Sequence, residues 1–172
     1  MEIILAENHG FCYGVKRAVE MANEAANGAG KSYTLGPIIH NPQVVGRLES
    51  KGVKPIDEVS DIDSGTMIIR SHGVGPAIYE EAENKGLNIV DATCPHVKKA
   101  QQDAKSVIED GMTLVILGEK NHPEVKSINL WANNEGIIIE DEESAQKLQI
   151  VEKMGVVVQT TFSQFKFTSI IE

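Results

Sequence analysis

The sequence predicts an α/β fold made of two repeated units with mainly parallel sheets. Three observations carry this. Short Val/Ile/Leu-rich runs alternate with amphipathic stretches of helical period. Several of the apolar runs are continuous, as in strands covered on both faces. Two landmarks also recur at one common offset. "CYGVKRA" at Cys12 and "CPHVKKA" at Cys94 both read C-x-x-V-K-[KR]-A. "LGPIIHNPQVV" at Leu35 and "LGEKNHPEV" at Leu117 both read L-G-x-x-x-H, then proline and [QE]-V. Both pairs are 82 residues apart.

The elements follow in order. Strands are predicted at 2–6 (EIILA), 32–35 (SYTL), 66–70 (TMIIR), 88–92 (NIVDA), 113–117 (TLVIL), 136–140 (GIIIE) and 155–159 (GVVVQ). After the first strand, Val15, Ala18, Val19, Ala22, Ala25 and Ala26 form one helical stripe, and Gly28 supplies a stop. Val97, Ala100, Ala104, Val107 and Ile108 form a second stripe, closed by Gly111. Residues 57–64 and 140–144 read as acidic surface turns. "FSQFKFTSIIE" is helix-like and carries no stop signal. "MIIRSHG" and "VVVQTTF" are a looser third echo, a strand ending in hydroxyl residues. The units are placed at 1–93, with Cys12, His40 and His72, and at 94–172, with Cys94, His122, Glu124 and Thr160.

Composition removes several function classes. The net charge is −9, with 16 Lys and Arg against 25 Asp and Glu, so a nucleic-acid partner is not expected. No apolar run approaches the roughly 18 residues of a membrane span. The N-terminus lacks the basic start and long apolar core of a signal peptide, so a cytoplasmic protein is expected and no membrane partner. The two cysteines form no C-x-x-C motif. An anionic small molecule would need local donors such as histidine or helix N-termini.

Cys94 precedes Pro95, which is favoured at the first helical position, so Cys94 is placed at an N-cap. Cys12, followed by a glycine and a periodic run, is placed near another. A thiol there faces unpaired N–H groups and the positive end of the helix dipole, which suits it to a metal or cluster. The alternatives are buried inert thiols and a thiol-redox pair. His40, His72 and His122 each follow an apolar strand and precede a Gly or Pro turn. That is the carboxyl end of a strand, where α/β proteins build sites. A shared polar pocket, a mixed Cys/His zinc site and ordinary structural roles all remain open for them. Glu124, two residues after His122, is either a pocket proton donor or a first-turn glutamate. Thr160 and Thr161 either relay a proton or satisfy backbone groups.

In order and spacing, "GFCYGVKRAV", "IIHNPQVV", "RSHGVG", "VDATCPHVKKA", "NHPEV" and "VVQTTFS" resemble the 4-hydroxy-3-methylbut-2-enyl diphosphate reductase (LytB/IspH) family. The resemblance runs along the whole chain. It implies three α/β units in pseudo-threefold arrangement around a [4Fe–4S] cluster. It also implies reductive dehydroxylation of an allylic diphosphate to isopentenyl and dimethylallyl diphosphate, the last step of the methylerythritol phosphate route. By position, it makes Cys12 and Cys94 cluster ligands. His40, His72 and His122 become the diphosphate pocket, Glu124 the proton source and Thr160 its relay, with Gln159 adjacent. A ferredoxin or flavodoxin is the implied electron donor. The family's third cysteine and its Ser-x-Asn stretch have no counterpart among these 172 residues. A third unit or a second chain is therefore expected to complete the cluster site, and this chain alone is expected to be inactive. A non-catalytic metal- or anion-binding module is the alternative.

Overall fold

The protein was analysed as a computed structural model that describes residues 2–7, 9–28, 30–149 and 152–171. It contains two parallel sheets. The first holds β1 (Ser32–Leu35), β2 (Val53–Ile56), β3 (Thr66–Ile69) and β4 (Asn88–Asp91) in the order β2-β1-β3-β4. The second holds β5 (Thr113–Leu117), β6 (Ile137–Ile139) and β7 (Met154–Val158) in the order β6-β5-β7. Every strand pair is parallel. The ends of the central strands are in register with the strands that carry site residues: Leu35 lies opposite Ile69, and Leu117 opposite Val158.

Helices cover both faces of each sheet. On the first sheet, α1 (Tyr13–Ala26) and α2 (Pro42–Ser50) bury Ala18, Ala22, Val44 and Leu48 against Ile38, Val53 and Ile68. The other face packs α3 (Pro76–Asn84) through Ala82 against Met67 and Ile69. On the second sheet, α4 (Pro95–Glu109) and α5 (Pro123–Trp131) bury Ala100, Ala104, Val125 and Ile128 on Leu114 and Ile116. The short α6 (Glu142–Gln146) and α7 (Gln164–Ile171) lie on the opposite face, around Val115, Leu117 and Ile139. Four helices begin with proline, at Pro42, Pro76, Pro95 and Pro123, where the missing N–H costs nothing and φ is already helical.

The structure departs from the sequence reading in four places. Residues 2–6 form no strand. Ile3, Ile4 and Leu5 are 74%, 83% and 76% exposed, because their pattern specifies an extended backbone but no neighbouring strand among the described residues pairs with it. β2 went unrecognised because Val53–Ile56 reads V-K-P-I, with a proline tolerated only at an edge. The stretch 57–64 is more than a surface turn: Val59 and Ile62 are buried, with a 3-10 turn over Val59–Asp61. Within 140–144, Asp141 caps α6 by accepting from the Ser144 N–H at 2.8 Å.

Candidate active site

In each sheet the strand order reverses at the central strand. The crevice outside the carboxyl ends of the strands at such a point is where open α/β sheets bind ligands. His40 follows β1 and His72 follows β3, which flank the reversal in the first sheet. His122 and Glu124 follow β5, and Gln159 and Thr160 follow β7, which flank it in the second. Topology alone therefore gathers six of the eight predicted residues at two switch points.

The three histidines converge. Ring centroids are 4.4 Å apart for His40 and His72, 5.8 Å for His40 and His122, and 5.5 Å for His72 and His122. Their ligand atoms all lie within 4.8 Å of one another. Such a triad can close on a metal or on an anion, and a hydrogen bond favours the anion. His122 is the N-cap of α5, and its Nδ1 accepts the Glu124 N–H at 3.2 Å. The proton of the neutral ring is thereby assigned to Nε2. His122 offers the pocket a donor, while its one lone pair is taken by the helix.

His72 sits deepest in charge balance. Burial first, then the neighbouring His40, Arg70 and His122, push its pKa down to about 3. Its Nδ1 is buried without a hydrogen-bond partner. A histidine depressed in the folded state favours folding above its unfolded value, near 6.5, and loses that contribution as pH falls towards 3. We expect the melting temperature to fall between pH 7.5 and pH 5, and to fall less in His72→Asn. Parallel thermal melts of both proteins check this, and identical pH slopes would remove His72 as the cause.

Glu124 is buried, with 2% of its surface exposed. Its Oε1 accepts the Thr160 N–H at 2.6 Å, and its Oε2 accepts the Thr160 hydroxyl at 2.9 Å. A carboxyl at the second position of α5 is thus locked to the end of β7. Gln159, also buried, uses its amide internally: Oε1 accepts the Glu119 N–H at 2.9 Å and Nε2 donates to Thr161 Oγ1 at 2.8 Å. It braces the β7 end beside the carboxyl–hydroxyl pair.

The cysteines occupy equivalent local positions. Cys12 is the N-cap of α1 and Cys94 the N-cap of α4, and neither thiol makes a capping hydrogen bond. Both are free, with Cys12 exposed and Cys94 half-buried. The two helix starts touch at Gly14. A Cβ on Gly14 would overlap Cys94 Sγ and lie 3.2 Å from its Cβ. Only glycine lets the first turn of α1 approach that thiol so closely.

Several supporting residues escaped the sequence reading. Asp91, read as a strand residue, accepts the Thr93 N–H at 2.9 Å, pairs with Lys98 at 2.6 Å and accepts the Tyr79 hydroxyl at 3.0 Å. Burial alone would raise its pKa, but Lys98 and Thr93 outweigh that and hold it below the usual value. The D-x-T-C-P pattern is the available signal, an Asx turn ahead of a helix. Arg17 Nη1 donates to the Thr93 carbonyl at 3.2 Å, and the Cys94 N–H donates to the Ser71 carbonyl at 2.9 Å. Trp131 Nε1 donates to the Val74 carbonyl at 2.8 Å. The repeat also slips by one residue here. Asn41 caps α2, so His40 precedes the cap, whereas His122 is itself the cap. The connection from β5 to α5 is one residue shorter than that from β1 to α2.

Two parallel, doubly flanked sheets, with a histidine triad and a buried carboxyl–hydroxyl pair beyond the carboxyl ends of their strands, define an open-sheet α/β protein with its polar groups at the strand-order switch points. The family comparison is consistent with that class. The model of the family described as "LytB protein" matches residues 3–172, and the chain belongs to this family. It is 49% identical over 172 residues to the 4-hydroxy-3-methylbut-2-enyl diphosphate reductase of Geotalea uraniireducens (strain Rf4), covering 100% of this chain and 61% of that one. It is 52% identical over 163 residues to the reductase of the same name from Geobacter metallireducens, covering 95% and 58%. Among solved structures, an (E)-4-hydroxy-3-methyl-but-2-enyl diphosphate reductase superposes with a TM-score of 0.86 at 43% identity, covering 98% of this chain and 62% of that one. The E-1-hydroxy-2-methyl-but-2-enyl-4-diphosphate reductase from Plasmodium falciparum gives 0.91 at 32% identity, covering 96% and 53%. The chain spans about three fifths of the length of the curated relatives it matches. Among the described residues, no helix is long and apolar enough to cross a membrane.

Proposed function

We propose that this chain supplies the diphosphate pocket and the proton relay of a 4-hydroxy-3-methylbut-2-enyl diphosphate reductase. The observation that carries the reading is the Glu124–Thr160 pair, set against a triad whose His122 presents a donor. In this reading His40, His72 and His122 hold the substrate diphosphate. Each ring can donate one N–H to an oxygen, and the arriving negative charge opposes the neighbouring positive charges that add to burial in lowering the His72 pKa.

Cys12 and Cys94 would hold two corners of a [4Fe–4S] cluster. The fit rests on two N-cap sulfurs left uncapped and on a glycine that brings their helix starts into contact. When bound, the cluster supplies two electrons and an open Lewis-acidic iron. A third thiolate comes from a third unit or a second chain, beyond the two units at 1–93 and 94–172. A ferredoxin or flavodoxin supplies the electrons.

The chain's own chemistry is proton delivery. With Glu124 protonated on Oε2, that proton passes to Thr160 Oγ1, and the threonine hydroxyl proton passes to the departing allylic hydroxyl. The C–O bond breaks and water leaves. The Thr160 N–H at Oε1 stabilises the carboxylate left behind. Two electrons and a second proton, delivered to the allylic carbon, balance the conversion to isopentenyl or dimethylallyl diphosphate.

Anaerobic iron–sulfur reconstitution tests the reading on this chain and on a version extended by the remaining length of its relatives. The extended form is expected to gain a four-iron signal and reductase activity, whereas the chain alone binds inorganic diphosphate without turnover. An extended form with neither signal nor activity would refute it.

A further inference from the structure

Arg70 makes none of the hydrogen bonds of the site described above, although its charge helps to lower the His72 pKa. It follows β3 directly, two residues before His72. Its Nε is buried without a hydrogen-bond partner, and none of the ion pairs among the described residues involves it. A half-buried guanidinium with no ion-pair partner is expensive to keep, and native structures retain few such groups without a use. The fold also makes room for it. Gly36 has φ +69°, and a Cβ there would lie 2.5 Å from Arg70 Nη1.

The side chain lines a cavity of about 350 Å³ that none of the triad histidines lines. That volume falls within the range of small-molecule pockets, about 300–1,000 Å³. Its charged residues are Arg70, Lys126 and Asp57, two cations to one carboxylate, in a chain whose net charge is −9. Leu35, Val74, Ile78 and Leu130 supply apolar walls.

We propose that this cavity is a second anion site, taking a phosphate group on a short aliphatic body, with Arg70 and Lys126 holding the phosphate. The site does not depend on the reading of the triad. It is wired to the reacting centre through one loop. Arg70 leads into Ser71, whose carbonyl accepts the Cys94 N–H, and into His72, whose carbonyl accepts Ser127 Oγ at 2.9 Å from the cavity wall. An occupant therefore bears on the placement of both His72 and Cys94.

The test uses the full chain with the triad silenced by His40→Ala and His122→Asn, the latter keeping a cap on α5. Calorimetric titration with butyl phosphate is expected to show one site per chain. Arg70→Gln is expected to weaken it by about tenfold or more, as for a lost charge-assisted hydrogen bond, and Lys126→Gln to weaken it less. Inorganic phosphate is expected to bind more weakly than butyl phosphate. No binding in the silenced chain overturns the proposal, as does binding that survives both substitutions. Equal affinity for the two probes overturns its aliphatic half. Lys126 is exposed, so Lys126→Gln decides the matter if Arg70→Gln fails to fold. Inorganic diphosphate titrated into the unsubstituted chain reports separately on the triad.

Discussion

Glu124→Gln, placed in the reductase extended to its relatives' length, is expected to lower turnover by about two to four orders of magnitude, the usual contribution of a positioned general acid. The geometry makes this a clean substitution. Glutamine keeps the length of glutamate, and its carbonyl can still accept the Thr160 N–H where Oε1 now accepts it at 2.6 Å. Its amide nitrogen then faces Thr160 Oγ1, which can rotate to accept instead of donate. Packing around the buried side chain is preserved, and so is the cap on α5. What disappears is a transferable proton. Cluster signal and diphosphate affinity should therefore match the unsubstituted protein while turnover collapses. Electron paramagnetic resonance, calorimetry and a steady-state assay read these three quantities separately. Full activity in Glu124→Gln would remove the residue from proton delivery.

Gly14→Ala is expected to abolish most cluster loading in the same extended protein while changing its thermal stability little before loading. Local propensity favours alanine in a helix by about 1 kcal/mol. The added methyl, however, overlaps Cys94 Sγ and crowds its Cβ at 3.2 Å. The sulfur is the end of a short side chain, so the overlap is relieved by rotating the thiol. Rotation costs the fold little but aims Sγ away from a shared centre. Iron content and four-iron absorbance after reconstitution check the first half, and melting of the cluster-free protein checks the second. Normal iron content in Gly14→Ala would show that the close approach of α1 to Cys94 has no part in holding the cluster.

Much of the second sheet and of the site was legible in the sequence. TLVIL, GIIIE and GVVVQ are strands, within a residue at each end, because each is a short continuous β-branched or leucine run, although only the central β5 is covered on both faces. The N-cap positions of Cys12 and Cys94 were legible from a following proline or glycine and the helical stripe. Pairing information is what failed. EIILA has the composition of a strand, yet composition does not name a neighbour, and Ile3, Ile4 and Leu5 stand in solvent. V-K-P-I does become a strand, because the β1 backbone lies beside it and its edge position tolerates Pro55. The 82-residue offset hid the slip between His40 and His122, since motif spacing counts residues along the chain, whereas capping depends on where a helix begins. Arg70 was read as the last residue of a strand and Asp91 as a strand residue. Their partners, or lack of them, come from the loops and helices packed around the strand ends, which a strand pattern does not specify.

The cap that His122 places on α5 sets up a mutually exclusive pair of states. Nδ1 can accept the Glu124 N–H only while the ring carries a single proton. A doubly protonated ring has no lone pair left, and the amide of Glu124 itself would lose its partner. One imidazole therefore serves both the pocket and the first turn of the helix that bears the carboxyl. Where α2 is capped by an asparagine oxygen, α5 is capped by an imidazole nitrogen that belongs to the histidine triad itself.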